Sequence, residues 1–203
     1  MKIAQNKRIE ICGGIASGKT TLAKLLVENN IGVGVYENFQ KNPFWEAFYT
    51  EPNKYIFETE VTFTLQHYHE IKKNLKHKSL VCDYALIQDV AYAKIGLQGT
   101  KLNIYKDIVN ELFEDINKCD YLIYLKCSSM EELKRIRDRA RAVEQNINID
   151  FLSLLNNSIY QALEEETDMK ILEIDSEKYN FANSIEDKNI ILEKIINFIK
   201  FQA

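Results

Sequence analysis

Residues 11–21 read ICGGIASGKTT, and this stretch determines how the rest of the chain is interpreted. Four residues separate Gly13 from Gly18, and Lys19 and Thr20 follow directly. Glycines at this spacing let backbone N–H groups converge on phosphate oxygens, and the N-terminus of the next helix attracts the negative charge. The pattern therefore predicts a phosphate-binding loop, or P-loop, that holds a nucleotide of the ATP or GTP type.

The surroundings of the loop support this interpretation. The strand-like run KRIEIC precedes it at 7–12, and a helical run begins at Lys19. In such a loop Lys19 reaches the β- and γ-phosphates, and the Thr20 hydroxyl binds Mg²⁺. The predicted phosphate-binding residues are Gly13, Ala16, Ser17, Gly18, Lys19, Thr20 and Thr21.

The length, composition and charge of the chain limit its expected size, binding partners and location. The chain has 203 residues, 46% hydrophobic and 28% charged, so we expect one globular domain over 1–203. A net charge of -4 disfavours nucleic acid as a partner. No apolar run is long enough to span a membrane, and the N-terminus does not read as a signal peptide. We therefore expect a cytoplasmic protein with no membrane partner.

Short apolar strands alternate with helical segments along the whole chain. This order predicts an α/β fold of the P-loop NTPase class, in which helices cover both faces of a five-stranded parallel sheet. Ligands of such a sheet bind at the carboxyl ends of its strands. The predicted strands are 7–12, 32–37, 79–83, 120–127 and 169–175, and the predicted helices are 19–29, 53–76, 86–95, 104–117, 129–141, 148–166 and 185–200.

Two predicted strands end in a carboxylate. Glu37 follows GVGVY, and Asp83 follows SLVC. Because both strand ends face the ligand crevice, one acid is expected to accept the proton of an attacking hydroxyl and the other to support Mg²⁺. The alternative is that both are ordinary acids at strand ends.

An arginine-rich segment supplies positive charge. LKRIRDRARAVEQ, 133–145, places Arg135 and Arg139 on one face of a helix. Phosphoryl transfer needs such charge, so we predict a lid over about 135–146 that closes on the phosphates. The alternative is a solvated helix face whose charges are paired by Glu132 and Asp138.

Together these pieces resemble the deoxynucleoside kinase family. The matching stretches are GGIASGKTT, VYENFQKNPFWEAFYTEPNKYIF, CDYALIQD, RIRDRARAVEQNINIDFL and EIDSEKYNF. The resemblance implies a fold like that of nucleoside and nucleotide kinases, with ATP and Mg²⁺ as cofactors. It also implies a small-molecule nucleoside as substrate, transfer of the γ-phosphate to a 5′-hydroxyl, and a homodimer formed through helices.

The resemblance also assigns roles to individual residues. Glu37 resembles the family's general base, which makes Glu37, Lys19 and Arg139 the expected catalytic residues. Arg139 resembles a lid arginine on the phosphates, supported by Arg135 and Arg141. Tyr49 and Glu144 resemble residues that hold the sugar 3′-hydroxyl, Asp89 resembles an aspartate that helps to read the base, and 175–181 resembles the loop that wraps the adenine of ATP.

Two positions depart from the family pattern. The family's third strand usually ends in an acid, an arginine and a serine, whereas this chain has Asp83, Tyr84 and Ala85. The missing arginine belongs at the acceptor end of the site, near the 5′-oxygen, so its loss implies weaker catalysis or a different acceptor. Glu60 stands where the family offers a glutamine carboxamide to the base.

Glu60 belongs to a predicted cluster on the long helix. Glu60, Phe63 and His67 are spaced i, i+3, i+7 and share one helix face. An ionised Glu60 only accepts hydrogen bonds, which suits guanine N1–H and N2–H or a cationic acceptor that is not a nucleoside. His67 is either a pocket residue or a packed histidine. A stacking platform for a flat base is expected from among Phe39, Trp45, Tyr55 and Phe63.

The sequence thus predicts a Mg²⁺- and ATP-dependent deoxynucleoside kinase with a preference for a purine. Its predicted substrate-binding residues are Glu37, Tyr49, Glu60, Phe63, His67, Tyr84, Asp89 and Glu144, and its predicted metal ligands are Thr20 and Asp83. Two alternatives stay open. One is a kinase for a nucleoside monophosphate or another small alcohol, and the other is a nucleotide-binding homologue that has lost turnover.

Overall fold

The structure is a computed structural model that describes residues 7–77 and 79–201. Five strands in this part of the chain form one parallel sheet in the order β2-β3-β1-β4-β5. The predicted α/β fold with a five-stranded parallel sheet is confirmed. The strands are β1 (Lys7–Gly13), β2 (Val33–Val35), β3 (Ser79–Cys82), β4 (Tyr121–Lys126) and β5 (Ile171–Asp175).

Helices cover both faces of the sheet. None of them, within the described residues, is long and apolar enough to cross a membrane. Two short 3₁₀ helices, Phe39–Lys41 and Ala142–Asn146, lie in the connections. The α-helices are α1 (Lys19–Glu28), α2 (Trp45–Thr50), α3 (Pro52–Asn74), α4 (Leu86–Gly96), α5 (Gly99–Ile116), α6 (Ser129–Arg139), α7 (Ile149–Glu164) and α8 (Ile185–Phe201).

Side chains of β1 and β4 point alternately to the two faces of the sheet and contribute to a buried core on each face. Ile9 and Ile123 belong to a buried cluster that includes residues of α1 and α8. Leu122, next along β4, belongs to a second cluster that includes residues of α4 and α7. Because successive strand residues face opposite sides, a strand buried on both faces needs an apolar residue at nearly every position.

A buried carboxylate fixes the start of α4. Glu10 breaks the apolar run of β1 and forms an ion pair with Arg8, with 2.8 Å between Arg8 Nε and Glu10 Oε1. Its second oxygen accepts a hydrogen bond from the backbone N–H of Leu86 at 3.1 Å. The first turn of α4, which carries two residues of the site described below, is therefore anchored to the central strand.

Several predicted boundaries were wrong. The predicted strand 32–37 is shorter, because the Glu37 N–H bonds the Asp83 side chain and leaves the ladder. The predicted helix 129–141 ends at Arg139, because Ala140 adopts the left-handed conformation with φ 50°. The helix predicted from 104 begins at Gly99, and the short helix α2 was not predicted.

The central strands should dominate stability. Ile123 is fully buried in β4, so Ile123→Ala is expected to lower the free energy of unfolding by about 2–5 kcal/mol. Ile190 in α8 is 41% exposed, and Ile190→Ala is expected to change the free energy by at most about 0.5 kcal/mol. Urea unfolding of both variants checks this, and equal losses would contradict the assignment of the core.

Candidate active site

A cavity of about 600 Å³ opens where the strands end. Every residue predicted to bind phosphate, substrate or metal lines this cavity except Gly13, whose N–H donates to Gln88 Oε1 at 3.0 Å. The cavity therefore brings together the P-loop, the two strand-end acids, the face of α3 and the arginine segment, which are far apart in the chain.

The P-loop turns from β1 into α1 at Gly18. Gly18 has φ 107° and caps α1, a conformation that a residue with a Cβ adopts only at a cost. A Cβ at this position would lie 3.1 Å from the Phe181 ring. The loop thus rests on a buried aromatic ring of the segment 175–181, which was predicted to surround the adenine.

The Lys19 ammonium lies over the loop. Its Nζ donates to the carbonyl oxygens of Gly13 at 2.7 Å and Gly14 at 2.8 Å. Burial lowers the pKa of Lys19, and the nearby Glu37 carboxylate opposes this shift. The amine is therefore close to both the phosphate-binding loop and the acid at the end of β2.

Asp83 connects the loop to the end of β2. Its Oδ2 accepts a hydrogen bond from Thr20 Oγ1 and its Oδ1 accepts one from the Glu37 N–H, both at 2.7 Å. Burial raises the pKa of Asp83, and these two hydrogen bonds lower it in part.

A hydroxyl beside a carboxylate is a donor set that suits Mg²⁺. Within the described residues, no group of three or more His, Cys, Asp and Glu side chains could hold a metal. Thr20 and Asp83 therefore fit the kind of Mg²⁺ site in which phosphate oxygens and water supply the other ligands.

Glu37, His67 and Asp89 form a chain of hydrogen bonds. His67 Nε2 lies 3.2 Å from Glu37 Oε1, and His67 Nδ1 lies 2.9 Å from Asp89 Oδ2. Burial lowers the pKa of His67, but Asp89 and Glu37 outweigh it and raise the pKa to about 10. Partial burial raises the pKa of Glu37, and His67, Lys19 and Arg141 together hold it below its ordinary value. Of the two interpretations of His67, the structure supports the pocket residue.

Glu60 lies in the same cavity and is 5% exposed. Burial first, and then the charge of Asp89, raise its pKa well above the ordinary value. This favours a neutral carboxyl group, which can donate one hydrogen bond and accept another. The expectation of an acceptor-only Glu60 required the ionised form, and its surroundings disfavour that form.

The aromatic platform forms in part. Phe39 and Trp45 line the cavity, with ring centroids 4.5 Å apart, and Phe63 lines it on α3. Tyr55 is not among the lining residues, and its ring stacks on Phe44 instead. Of the four candidates, Tyr55 is therefore outside the platform, because its side chain packs against the loop that precedes α2.

The arginines are held by specific partners. Arg135 pairs with Glu131 at 2.9 Å and also donates to the Ser17 carbonyl at 3.3 Å and to the Ser176 carbonyl at 2.9 Å. It thereby joins the P-loop to the segment after β5. The alternative was that Glu132 and Asp138 pair with these arginines. In the structure Arg135 pairs with Glu131 instead.

A buried acid is the partner of Arg139 and Arg141. Glu144 is 3% exposed and accepts from Arg139 Nε at 2.8 Å and from Arg141 Nη1 at 3.2 Å. The charge of Glu144 contributes, after burial, to the raised pKa of Tyr49, so these residues share one end of the cavity. The arrangement brings together the residues predicted for the sugar and the phosphates.

Sequence reasoning missed Gln88 and Glu132. Gln88 lies on the first turn of α4 and holds the Gly13 N–H, and only its position shortly after Asp83 hinted at this role. Glu132 is fully buried, accepts from Asn156 Nδ2 at 3.0 Å, and has its pKa raised to about 7 by burial. In the sequence it looks like one more acid on a solvated helix face.

The fold and the loop define a P-loop phosphotransferase, and comparison with known proteins narrows the class. A family model described as deoxynucleoside kinase matches residues 9–200, so the chain belongs to the deoxynucleoside kinase family. It is therefore a kinase that phosphorylates the 5′-hydroxyl of a deoxynucleoside.

Individual relatives agree with this assignment. Deoxyguanosine kinase from Bacillus subtilis is 28% identical over 188 residues, or 88% of this chain and 91% of that protein. Deoxyadenosine kinase from Lactobacillus acidophilus is 30% identical over 148 residues, or 68% of each chain. The structure of M. mycoides deoxyadenosine kinase with the products dCMP and a flexible dCDP has the same fold, with a TM-score of 0.82 at 21% identity over 94% of this chain and 99% of that one.

The left-handed glycine should matter for binding. Gly18→Ala is expected to lower the affinity for a nucleoside triphosphate at least about tenfold and stability by about 1–3 kcal/mol, because the strained turn misdirects the loop amides. Gly99→Ala is the matched control, since Gly99 has φ 54° with nothing within 4 Å of an added Cβ. It should cost stability alone. Calorimetric titration and urea unfolding separate the two effects, and unchanged affinity in Gly18→Ala would contradict the assignment of the loop.

Proposed function

We propose that this kinase uses ATP and Mg²⁺ to phosphorylate a purine deoxynucleoside, with Glu37 as general base. The observation that carries the proposal is the position of Glu37, whose carboxylate shares one cavity with Lys19 and whose backbone N–H is joined through Asp83 to Thr20. A phosphoryl acceptor bound there would meet a proton acceptor on one side and the phosphate-binding loop on the other.

On the donor side, the loop amides and Lys19 bind the β- and γ-phosphates. Thr20 and Asp83 hold Mg²⁺, which neutralises phosphate charge when it is bound. Arg135 and Arg139 belong to a lid over about 135–146 that adds positive charge as the phosphoryl group moves. The contact of Arg135 with both the Ser17 and Ser176 carbonyls supports a lid that reaches the loop and the adenine segment together.

On the acceptor side, Glu37 takes the proton of the 5′-hydroxyl as the oxygen attacks the γ-phosphorus. His67 occupies Oε1 of Glu37, so we assign the proton to Oε2. The low pKa of Glu37 keeps the carboxylate ionised and ready to accept. Tyr49 and Glu144 hold the 3′-hydroxyl, as the family resemblance implies.

The base lies along α3, between Phe63, Glu60 and Asp89. A neutral Glu60 offers one donor and one acceptor, as the family's carboxamide does. This pair suits adenine, with N1 and N6–H, and also guanine, with O6 and N1–H. The deoxyguanosine and deoxyadenosine kinases among the relatives support a purine.

The proposal extends to the organisation of the enzyme. We propose one domain over 1–203 and a homodimer formed through helices. We also propose that the enzyme acts in the cytoplasm on a small-molecule nucleoside and binds neither nucleic acid nor membrane. The four cysteine thiols are buried, which suits a reducing compartment.

Turnover of the four common deoxynucleosides with ATP and Mg²⁺ tests the proposal. We expect the two purines to exceed the two pyrimidines in kcat/KM by at least about tenfold. Glu37→Gln should lower kcat by about 10²–10⁴-fold without weakening ATP binding, whereas Glu46→Gln, an exposed acid on α2, should have no effect. Bound ATP without turnover would support a homologue that has lost activity, and turnover of a monophosphate or another alcohol would support a changed acceptor.

The protonation state of Glu60 gives a separate prediction. Glu60→Gln keeps one donor and one acceptor, so purine turnover should stay within about fivefold of wild type. Glu60→Leu removes both groups and should lower kcat/KM at least about 10²-fold. Steady-state kinetics with both purines checks this. A large loss in Glu60→Gln confined to the guanine nucleoside would mean that Glu60 acts as an ionised acceptor.

A further inference from the structure

His67 makes hydrogen bonds to carboxylates from both ring nitrogens. Nε2 lies 3.2 Å from Glu37 Oε1 on one side, and Nδ1 lies 2.9 Å from Asp89 Oδ2 and 3.1 Å from Asp89 Oδ1 on the other. An ionised carboxylate only accepts hydrogen bonds, so a ring between two of them must donate from both nitrogens. A histidine that donates from both nitrogens is a cation.

The ring has little freedom to leave this position. It stacks on Tyr84, with ring centroids 3.9 Å apart and planes at 14°, and Phe63 stacks beyond it at 5.9 Å. The Tyr84 hydroxyl donates to the His67 backbone carbonyl at 3.0 Å. Only 6% of the side chain is exposed. Aromatic faces stabilise a cation placed against them, so Tyr84 and Phe63 favour the charged ring.

Tyr84 is also the position at which the chain departs from its family. The resemblance places an arginine there, near the 5′-oxygen, and Tyr84 carries no charge. We infer that His67 is a positioning residue that supplies the positive charge missing at Tyr84. Its imidazolium, stacked on the Tyr84 ring, holds Glu37 and Asp89 in place from α3. The inference rests on the proposed function to the extent that Glu37 is the general base.

A cation at His67 offsets the charge of the two carboxylates beside it. Glu37 and Asp89 hydrogen-bond to the two ring nitrogens of His67, and Glu60 lines the same cavity. Carboxylates this close repel one another when ionised. Burial raises the pKa of Glu37 and of Asp89, and the His67 imidazolium lowers both, so the charged ring favours the ionised carboxylates and joins the general base to the residue expected to read the base of the nucleoside. Because the pKa of His67 is about 10, the cation persists across the physiological range.

Kinetics of paired substitutions test the role. His67→Gln removes the charge and should lower kcat by about 10²-fold, as misplaced catalytic groups do, with the KM for ATP within about threefold of wild type. His67→Arg keeps a cation and should retain more activity than His67→Gln. His69→Gln, an exposed histidine on the same helix, is the control and should match wild type.

A rescue experiment distinguishes charge from packing. Adding Tyr84→Arg to His67→Gln returns a cation to the family's position and should recover at least about tenfold in kcat. Tyr84→Arg alone should not exceed wild-type turnover, because His67 already supplies the charge and loses the ring on which it stacks. If the double variant is no better than His67→Gln, the loss came from packing and the inference fails.

Nuclear magnetic resonance measures the protonation state of His67 independently of enzyme activity. The ring signals of His67 are identified by their absence in His67→Gln, and should be those of an imidazolium from about pH 6 to about pH 9. Asp89→Asn should lower the pH at which the ring loses its proton. A neutral ring at pH 7.5 in the wild-type protein would overturn the inference even if the enzyme phosphorylates purine deoxynucleosides. Conversely, a charged ring in a protein without turnover would leave the charge of His67 established and reject the proposed function.

Discussion

One buried carboxylate, that of Asp83, holds the reacting ends of the site together. It accepts from the Thr20 hydroxyl at the start of α1 and from the Glu37 N–H at the end of β2, both at 2.7 Å. The Asp83 N–H in turn donates to the Val35 carbonyl at 3.1 Å. Because Asp83 is only 4% exposed, losing either partner would leave part of its charge unsatisfied. The distance between the phosphate loop and Glu37 therefore depends on Asp83, a residue that need not touch the nucleoside.

Much of the fold and the candidate site could be predicted from local patterns. The glycine spacing around Lys19 predicted the loop. The apolar runs predicted five parallel strands and, with them, the edge of the sheet at which ligands bind. Glu37 and Asp83 followed from this, since an acid directly after a buried parallel strand must lie at that edge. Helical spacing placed Glu60 and His67 on one face of α3, and both line the cavity.

What could not be predicted depends on contacts between distant segments. The partners of His67 lie on a β2 end and on α4, and no pattern within α3 indicates that two carboxylates reach it. Glu132 reads as a solvated acid because its burial is decided by α7 and the loop, not by its own helix. Boundaries such as the end of β2 failed for the same reason, because a side chain took the hydrogen bond that the ladder would have used.

The position of β1 in the middle of the sheet has a consequence for synthesis of the protein. The strand that carries the phosphate loop pairs on one side with β3, where Lys7 faces Ser79, and on the other with β4, where Ile9 faces Tyr121. These partners leave the ribosome much later than β1 itself. The loop is thus made before either partner of its strand, and β1 is paired on both sides only after β4 has followed. Until β4 follows, the apolar strand β1 keeps at least one open edge, so a chain interrupted before β4 would tend to associate with other chains rather than bind nucleotide.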